Sequence, residues 1–479
     1  MGAKNDCIVL YPYPAMGHLI SMVELGKRFL DLTESFTVLV IVAEAPFVLP
    51  NVDAYIKIVS ETHPSIVFVR IPPLPYFYAD DYYPPRLRTI ELAFEFMRAS
   101  KPFLRLALQA ISLFTKVRAL FLDFFGSPVM DVADELGIPP YLFMASPAAQ
   151  MALFLYLPTM HLNTTASFKD LDGSLLEFPG LPLFPAADIP QGLEDRNKKA
   201  YQEFLEMSKR IARAAGFVIN TFDPLEPRAV KALADGVCLP DGRTPPCYTI
   251  GPLVAPDKGD GGVECLKWLD SQPRKSVVFL SFGSMITFPT EQLREIAAGL
   301  ERSGRRFLWV LRSSDDKDAD LDALLPEGFL DRTRGRGLVW KSWTEQAAVL
   351  SRESIGAFVT HCGWNSILEG VCAGVPMVAW PLYAEQRLIK VLVVEEMKLG
   401  VSVEFEKRGL VSAGELEKRV RELLESEEGN AIRERAEVMK AKATSSFREG
   451  GSSQRAFLEL AKTLGALTRP SKEFTFTCL

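Results

Sequence analysis

The stretch "IGAFVTHCGWNSILEG", residues 355–370, runs from an apolar strand-like segment straight into a segment with helical periodicity. A plain strand-to-helix connection needs a turn residue and a helix cap, and no more. This one carries His361, Trp364, Asn365, Ser366 and Glu369 within nine residues. Helix amino termini expose unpaired N–H groups and carry partial positive charge, so such a junction favours anions such as phosphate. Asn365 and Ser366 add side-chain donors, Gly363 permits close backbone approach, and His361 can donate to a phosphate oxygen. Glu369, one turn further on, can accept from a vicinal diol such as ribose. Taken singly, Asn365 or Ser366 reads as a helix cap and His361 as the end of a strand. Grouped, they describe a nucleotide diphosphate site.

Working outward, strand-like runs alternate with helical periodicity along the whole chain. The first half holds "CIVLYPY", "FTVLVIVA", "IVFVRI", "ALFLDFF", "PYLFMAS" and "GFVINTF"; the second holds "SVVFLSFG", "RFLWVLR", "GLVWKSW", "IGAFVTHC", "VPMVAWP" and "VSVEF". Nearly continuous apolar strands suit parallel sheets covered on both faces. Two such series predict an α/β protein of two Rossmann-like, doubly wound domains facing each other across a cleft. Ligands in such sheets sit at the carboxyl ends of the strands. The boundaries read as an amino-terminal domain over 1–247, a Gly- and Pro-rich linker over 248–262, and a second domain over 263–460. A final segment, 461–479, is expected to pack back toward the first domain.

The composition is that of an ordinary globular protein. Of 479 residues, 48% are hydrophobic and 24% charged, enough to bury large cores. The net charge is −6 with no long basic run, which argues against a nucleic-acid partner. Seven scattered cysteines form neither a disulfide framework nor a CxxC metal pair. The amino terminus goes directly into a strand with no cleavable signal. Asp6 stands where a myristoylation signal wants Ser or Thr, and Cys478 is misplaced for prenylation. The longest apolar stretch, "YLFMASPAAQMALFLYLPTM" from Tyr141, is broken by Pro147, Gln150 and Pro158 and reads as a buried strand plus helix. A soluble, cytoplasmic, monomeric protein without stable membrane insertion is expected. The charge run "DDKDAD" from Asp315 contains a D-x-D but no His or apolar wall, and reads as a solvated loop.

The wider segment Trp343–Gln386 spans 44 residues, "WTEQAAVLSRESIGAFVTHCGWNSILEGVCAGVPMVAWPLYAEQ". It closely resembles the signature box of plant family 1 UDP-sugar glycosyltransferases, in its opening Trp, the central "THCGWNS", the "GVPM" and the "WPL-AEQ" ending. The resemblance implies the GT-B fold, with the acceptor in the first domain and the UDP-sugar in the second. It implies that Trp343 stacks on uracil while Thr344 and Gln346 line the base and ribose. Glu369 then holds the ribose hydroxyls. His361, Gly363, Asn365 and Ser366 bind the diphosphate, helped by Ser284 in "FLSFGS". Trp364, Glu385 and Gln386 then face the sugar hydroxyls, and Tyr383 counts among the donor-binding residues. A terminal Gln resembles glucose users, while His there is associated with galactose, and Trp364 in place of Arg argues against glucuronic acid. Thr344 and Glu345 replace the family's small residue and Pro, which leaves that loop less constrained.

Two further residues fit the same reading. "YPYPAMGHL" places His18 after the first strand and ahead of a helix, and "ALFLDFFGSP" places Asp123 at the end of the fourth strand-like run. A hydroxyl acceptor must lose its proton as it attacks the anomeric carbon, and an imidazole, with an ordinary pKa of ~6.5, suits that work. A carboxylate beside it fixes the tautomer and stabilises the imidazolium. Helix capping is the plain alternative for Asp123. The resemblance implies a His18–Asp123 dyad, direct displacement with inversion, and no metal or other cofactor. Ser146 in "FMASPAA" is a weaker candidate for touching sugar or acceptor.

Competing functions lack their marks. No G-x-G-x-x-G follows the first strand, and no P-loop occurs. No G-x-S-x-G nucleophile turn is present either. A non-catalytic nucleotide-sugar binder would keep the box but lose the dyad. "VCAGVPMVAWPLYAEQ" and "GGVECLKWLDSQP" most resemble the flavonoid and chalcone branch, so UDP-glucose and a small phenolic acceptor are expected. A terpenoid, simple phenol or hormone acceptor is the alternative. The loops "PPLPYFYADDYYPP", with Tyr76, Phe77, Tyr78, Tyr82 and Tyr83, and "PAADIPQGLEDRN" are expected to line the acceptor. Regiochemistry, and O- against C-glycosylation, are left open.

Overall fold

The structure, a computed structural model, describes residues 5–32, 36–45, 52–74, 90–171, 173–255, 263–283, 286–311, 321–341 and 345–465. Ser284, Trp343, Thr344, the aromatic loop from Tyr76 to Tyr83, the charge run from Asp315 and the chain beyond Gly465 lie outside them. The chain divides into two compact units. One is formed by residues up to Ala255 together with the stretch from Ser445, the other by Pro256–Thr444.

In the first unit the strands are β1 (Asn5–Tyr11), β2 (Phe36–Ala43), β3 (Ile66–Ile71), β4 (Thr115–Asp123), β5 (Pro140–Met144), the short pair β6 (Leu175–Leu176) and β7 (Phe184–Pro185), β8 (Gly216–Ile219) and β9 (Cys247–Thr249). The pair β6–β7 is antiparallel and stands apart. The other seven form one sheet in the order β3-β2-β1-β4-β5-β8-β9, parallel throughout. Its inner strands are largely buried, because helices cover both faces, while the edge strand β3 is partly exposed.

The second unit repeats the plan with β10 (Val277–Ser281), β11 (Arg306–Val310), β12 (Gly337–Trp340), β13 (Ile355–Thr360), β14 (Met377–Ala379) and β15 (Gly400–Ser402). Their order is β12-β11-β10-β13-β14-β15, again parallel. In both sheets the order reverses beside the first strand, between β1 and β4 and between β10 and β13. Strand order reversal opens a crevice at the carboxyl ends, where two successive loops splay to opposite faces. The registers Tyr11↔Leu122 and Ser281↔Thr360 bring the paired strand ends level at each crevice.

Each unit has its own core. In the first, the helix Met16–Leu32 lies between the sheet and the terminal helix Ser452–Thr463. Phe29 meets Phe121 at 5.6 Å and Phe457 at 4.9 Å between ring centroids. Phe457, Leu460, Ala461 and Leu464 all belong to this core, so the return of the chain spans the position 460/461 at which the sequence reading draws a line. The sheet also has one strand more than the six runs of the first half, β9, which straddles the 247/248 boundary read between first domain and linker. The apolar stretch from Tyr141 is β5 followed by the helix Ala148–Asn163. No helix among the described residues is long and apolar enough to cross a membrane.

Candidate functional site

The first crevice holds His18 and Asp123. His18 sits in the first turn of the helix Met16–Leu32, and Asp123 is the last residue of β4. His18 Nδ1 and Asp123 Oδ2 are 2.6 Å apart. The other carboxylate oxygen accepts the Phe125 backbone N–H at 3.1 Å, so Asp123 also caps the short 3-10 turn Phe124–Val129. Capping and dyad are therefore one arrangement, not alternatives. The carboxylate's second oxygen is anchored by backbone, which fixes its angle to the imidazole. Side-chain exposure is 23% for His18 and 0% for Asp123, so a substrate can reach the imidazole but not the carboxylate. With Nδ1 on the carboxylate, the tautomer that results makes Nε2 the basic nitrogen of the ring.

Aromatic rings wall this imidazole. Tyr13 meets it edge-on at 5.4 Å between centroids, and Phe124 and Phe125 lie at 6.0 and 6.1 Å. The sequence reading missed these three; their only mark is adjacency to the strand ends. Ser146, in the turn after β5, is buried. The following helix Ala148–Asn163 does not present its amino terminus to a ligand. The buried Glu226 carboxylate accepts from Ala148 N at 2.9 Å and Ala149 N at 3.0 Å.

The second crevice holds the junction 361–370. The His361 ring lies over two glycines. A Cβ on Gly283 would stand 2.8 Å from its Nε2, and one on Gly363 would overlap the same atom. Gly283, at φ +76°, is also in the left-handed region that favours glycine. His361 is 6% exposed. Burial pushes its pKa down to about 4, opposed by the Ser281 backbone, so the ring is neutral near pH 7. It can give one N–H to a phosphate but brings no full charge. Its Nδ1 has no hydrogen-bond partner among the described residues. Between His361 and Gly363, Cys362 takes φ +66°, a strained backbone for a non-glycine residue and one met most often at functional loops.

The helix Trp364–Ala373 starts at Gly363 without a side-chain cap. Ser366 is engaged elsewhere. Gln346 Nε2 donates to Ser366 Oγ at 2.8 Å and also to Glu369 Oε2. Three positions from two helices thus form one network. Glu369 is half-buried at its surface yet closely surrounded, and burial pushes its carboxyl up to about 7 against the Gln346 hydrogen bond. Gln386 is buried, and its Oε1 accepts the Leu382 and Tyr383 N–H groups at 2.8 and 3.0 Å. That commits the oxygen to shaping the turn. Trp364 is 3% exposed, which makes it a buried first residue of the helix. Asn365 and Glu385 are half-buried, as is Tyr383, whose ring stacks near His361 at 6.3 Å. Among the described residues no cluster of three or more His, Cys, Asp or Glu could hold a metal ion.

The chain is similar to known proteins along nearly its whole length. Residues 239–435 match the family model described as UDP-glucoronosyl and UDP-glucosyl transferase. An anthocyanidin 5,3-O-glucosyltransferase of a Rosa hybrid cultivar is 44% identical, over 96% of this chain and 98% of its own. A phloretin 2'-O-glucosyltransferase of Malus domestica is 43% identical, over 96% and 100%. Among solved structures, a UDP-glucosyltransferase from Polygonum tinctorium in complex with 3,4-dichloroaniline superposes with a TM-score of 0.88 at 36% identity, covering 97% of this chain and 100% of that one. Phytolacca americana UGT2 complexed with UDP-2fluoro-glucose and pterostilbene gives 0.86 at 36%, covering 96% and 100%. With such likeness over nearly its full length, two doubly wound units and a crevice in each, the chain belongs to the plant UDP-glycosyltransferases, enzymes of the GT-B fold.

Proposed function

We propose that this enzyme transfers glucose from UDP-glucose to a hydroxyl of a small phenolic acceptor of the flavonoid or chalcone kind, with inversion at the anomeric carbon. The observation that carries the mechanism is the 2.6 Å His18–Asp123 pair with its anchored carboxylate. His18 Nε2 takes the acceptor's proton as its oxygen attacks, and Asp123 stabilises the imidazolium that forms. The anomeric C–O bond to the diphosphate breaks as the new one forms, and UDP leaves with the electron pair. His361, Gly363, Asn365, Ser366 and the helix amino terminus receive that charge, and Ser284 is assigned to the same task. Glu369 and Gln346 hold the ribose, Trp343 and Thr344 the base, and Trp364, Tyr383, Glu385 and Gln386 the glucose. The phenolic acceptor is supported by the ring wall around His18 and by what the rose and apple relatives are named for.

The donor set of neutral imidazole, amide, hydroxyl and backbone N–H is chemistry suited to a diphosphate without a metal. Chelation with EDTA is accordingly expected to leave turnover unchanged. His18→Ala should abolish UDP release with a phenolic acceptor while leaving UDP-glucose binding largely intact. Full activity in that variant would remove His18 from the mechanism. The same reading has the enzyme act as a cytosolic monomer, which sedimentation and cell fractionation test.

A further inference from the structure

The helix Ala148–Asn163 buries nine residues, and eight of them are apolar. The ninth is Gln150, 3% exposed, whose Oε1 is buried with no hydrogen-bond partner among the described residues. Leaving a buried amide oxygen unpaired is costly, and an apolar side chain of the same length would avoid that cost. The position of Gln150 gives the group a use. It lies four residues before Phe154, hence on the same helix stripe and about 6 Å nearer the carboxyl edge of the sheet. Phe154 meets Phe124 at 6.1 Å, and Phe124 meets the His18 ring at 6.0 Å. The stripe therefore leads to the aromatic wall of the dyad.

We propose that the Gln150 carboxamide is a specificity-determining group for the acceptor, hydrogen-bonding a hydroxyl of the phenol remote from the one that reacts at His18. The proposal rests on the phenolic reading of the acceptor. A site built to pair with a hydroxyl rejects an analogue lacking it far more strongly than an apolar wall does, because its own polar group is then left unpaired.

The test compares phloretin with analogues lacking one ring hydroxyl each, for wild type, Gln150→Met and Gln150→Leu, with thermal unfolding of each variant. Wild type should favour phloretin over one particular deoxy analogue by at least roughly tenfold in kcat/KM. Both variants should lose that preference, chiefly through KM for phloretin, while turnover of the deoxy analogue and of a simple monohydric phenol stays within about twofold of wild type. Their melting temperatures should hold or rise, since the orphaned amide is gone. A fall in melting temperature with the wild-type preference intact would mark Gln150 as a structural residue paired with a buried water, and would overturn the proposal. Wild type that glucosylates phenols without discriminating any deoxy analogue would overturn it as well, leaving the phenolic reading in place. Wild type that glucosylates no phenol at all would end both.

Discussion

Glu369 has its carboxyl pushed up to about 7, chiefly by burial, whereas an ordinary glutamate titrates near ~4.3. Between those values the folded chain holds a proton that the unfolded chain has released. This group therefore favours the fold at acid pH, and its contribution is lost as pH rises through about 7. Donor binding has the opposite sign. The ribose diol assigned to Glu369 is accepted by a carboxylate, so binding expels the proton. UDP-glucose should bind roughly tenfold more tightly at pH 8 than at pH 6, with proton release visible as a buffer-dependent heat in calorimetry. His361, held down at about 4, stays neutral across that window and does not add to the slope. Glu369→Gln should bind more weakly and without the slope; a variant that keeps it would place the titrating group elsewhere. Gln386 makes a second claim of this kind. Its oxygen is tied to two backbone N–H groups, so a sugar bound as proposed would be offered amide N–H alone. Gln386→His should raise the kcat/KM ratio of UDP-galactose to UDP-glucose while lowering total turnover, because the Leu382–Tyr383 turn loses an acceptor. An unchanged ratio would show that the sugar is chosen by other residues.

Among the elements, the terminal helix Ser452–Thr463 is the one most remote in sequence from what it supports. Phe457 is 5% exposed and packs against Phe29 of the helix that begins just ahead of His18. Phe457→Ala removes a buried ring and leaves a cavity, at a cost of about 3–5 kcal/mol. It should appear as an earlier urea midpoint, with transfer at low denaturant little changed. A cost under about 1 kcal/mol would mean that the helix contributes little to the first unit. That pairing was not legible in the sequence, because nothing local links residue 457 to residue 29. The parallel sheets were legible, since strands buried on both faces write long apolar runs. β9 was not: three residues within "CYTIGP" carry no period, and only its place beside β8 makes it a strand. The junction 361–370 was legible because its polar residues crowd one turn. The Glu226 cap on Ala148 and the ring wall of His18 were hidden by chain separation, which sequence patterning cannot bridge. Asp123 shows a subtler limit: sequence offered a cap or a dyad, and the two carboxylate oxygens serve both.

At the scale of the whole molecule, two sheets with two separate hydrophobic clusters should unfold as two cooperative transitions rather than one. The groups assigned to UDP-glucose, from Gln346 to Gln386, belong to the unit Pro256–Thr444. Ligand that binds one folded unit stabilises that unit by mass action, about 2.7 kcal/mol at a hundred times the dissociation constant. In calorimetry of the full chain, UDP-glucose should therefore move one transition upward and leave the other in place. Phe457→Ala should lower the transition that UDP-glucose does not move, since Phe457 lies in the other core. The two perturbations label the transitions independently, so the assignment can be checked by combining them. In the variant with saturating UDP-glucose the spacing between the two transitions should change by the sum of the individual shifts, because residues without shared partners act additively. A single transition displaced as a whole by either perturbation would show that the two cores unfold as one cooperative body, and that donor binding is felt energetically as far as His18.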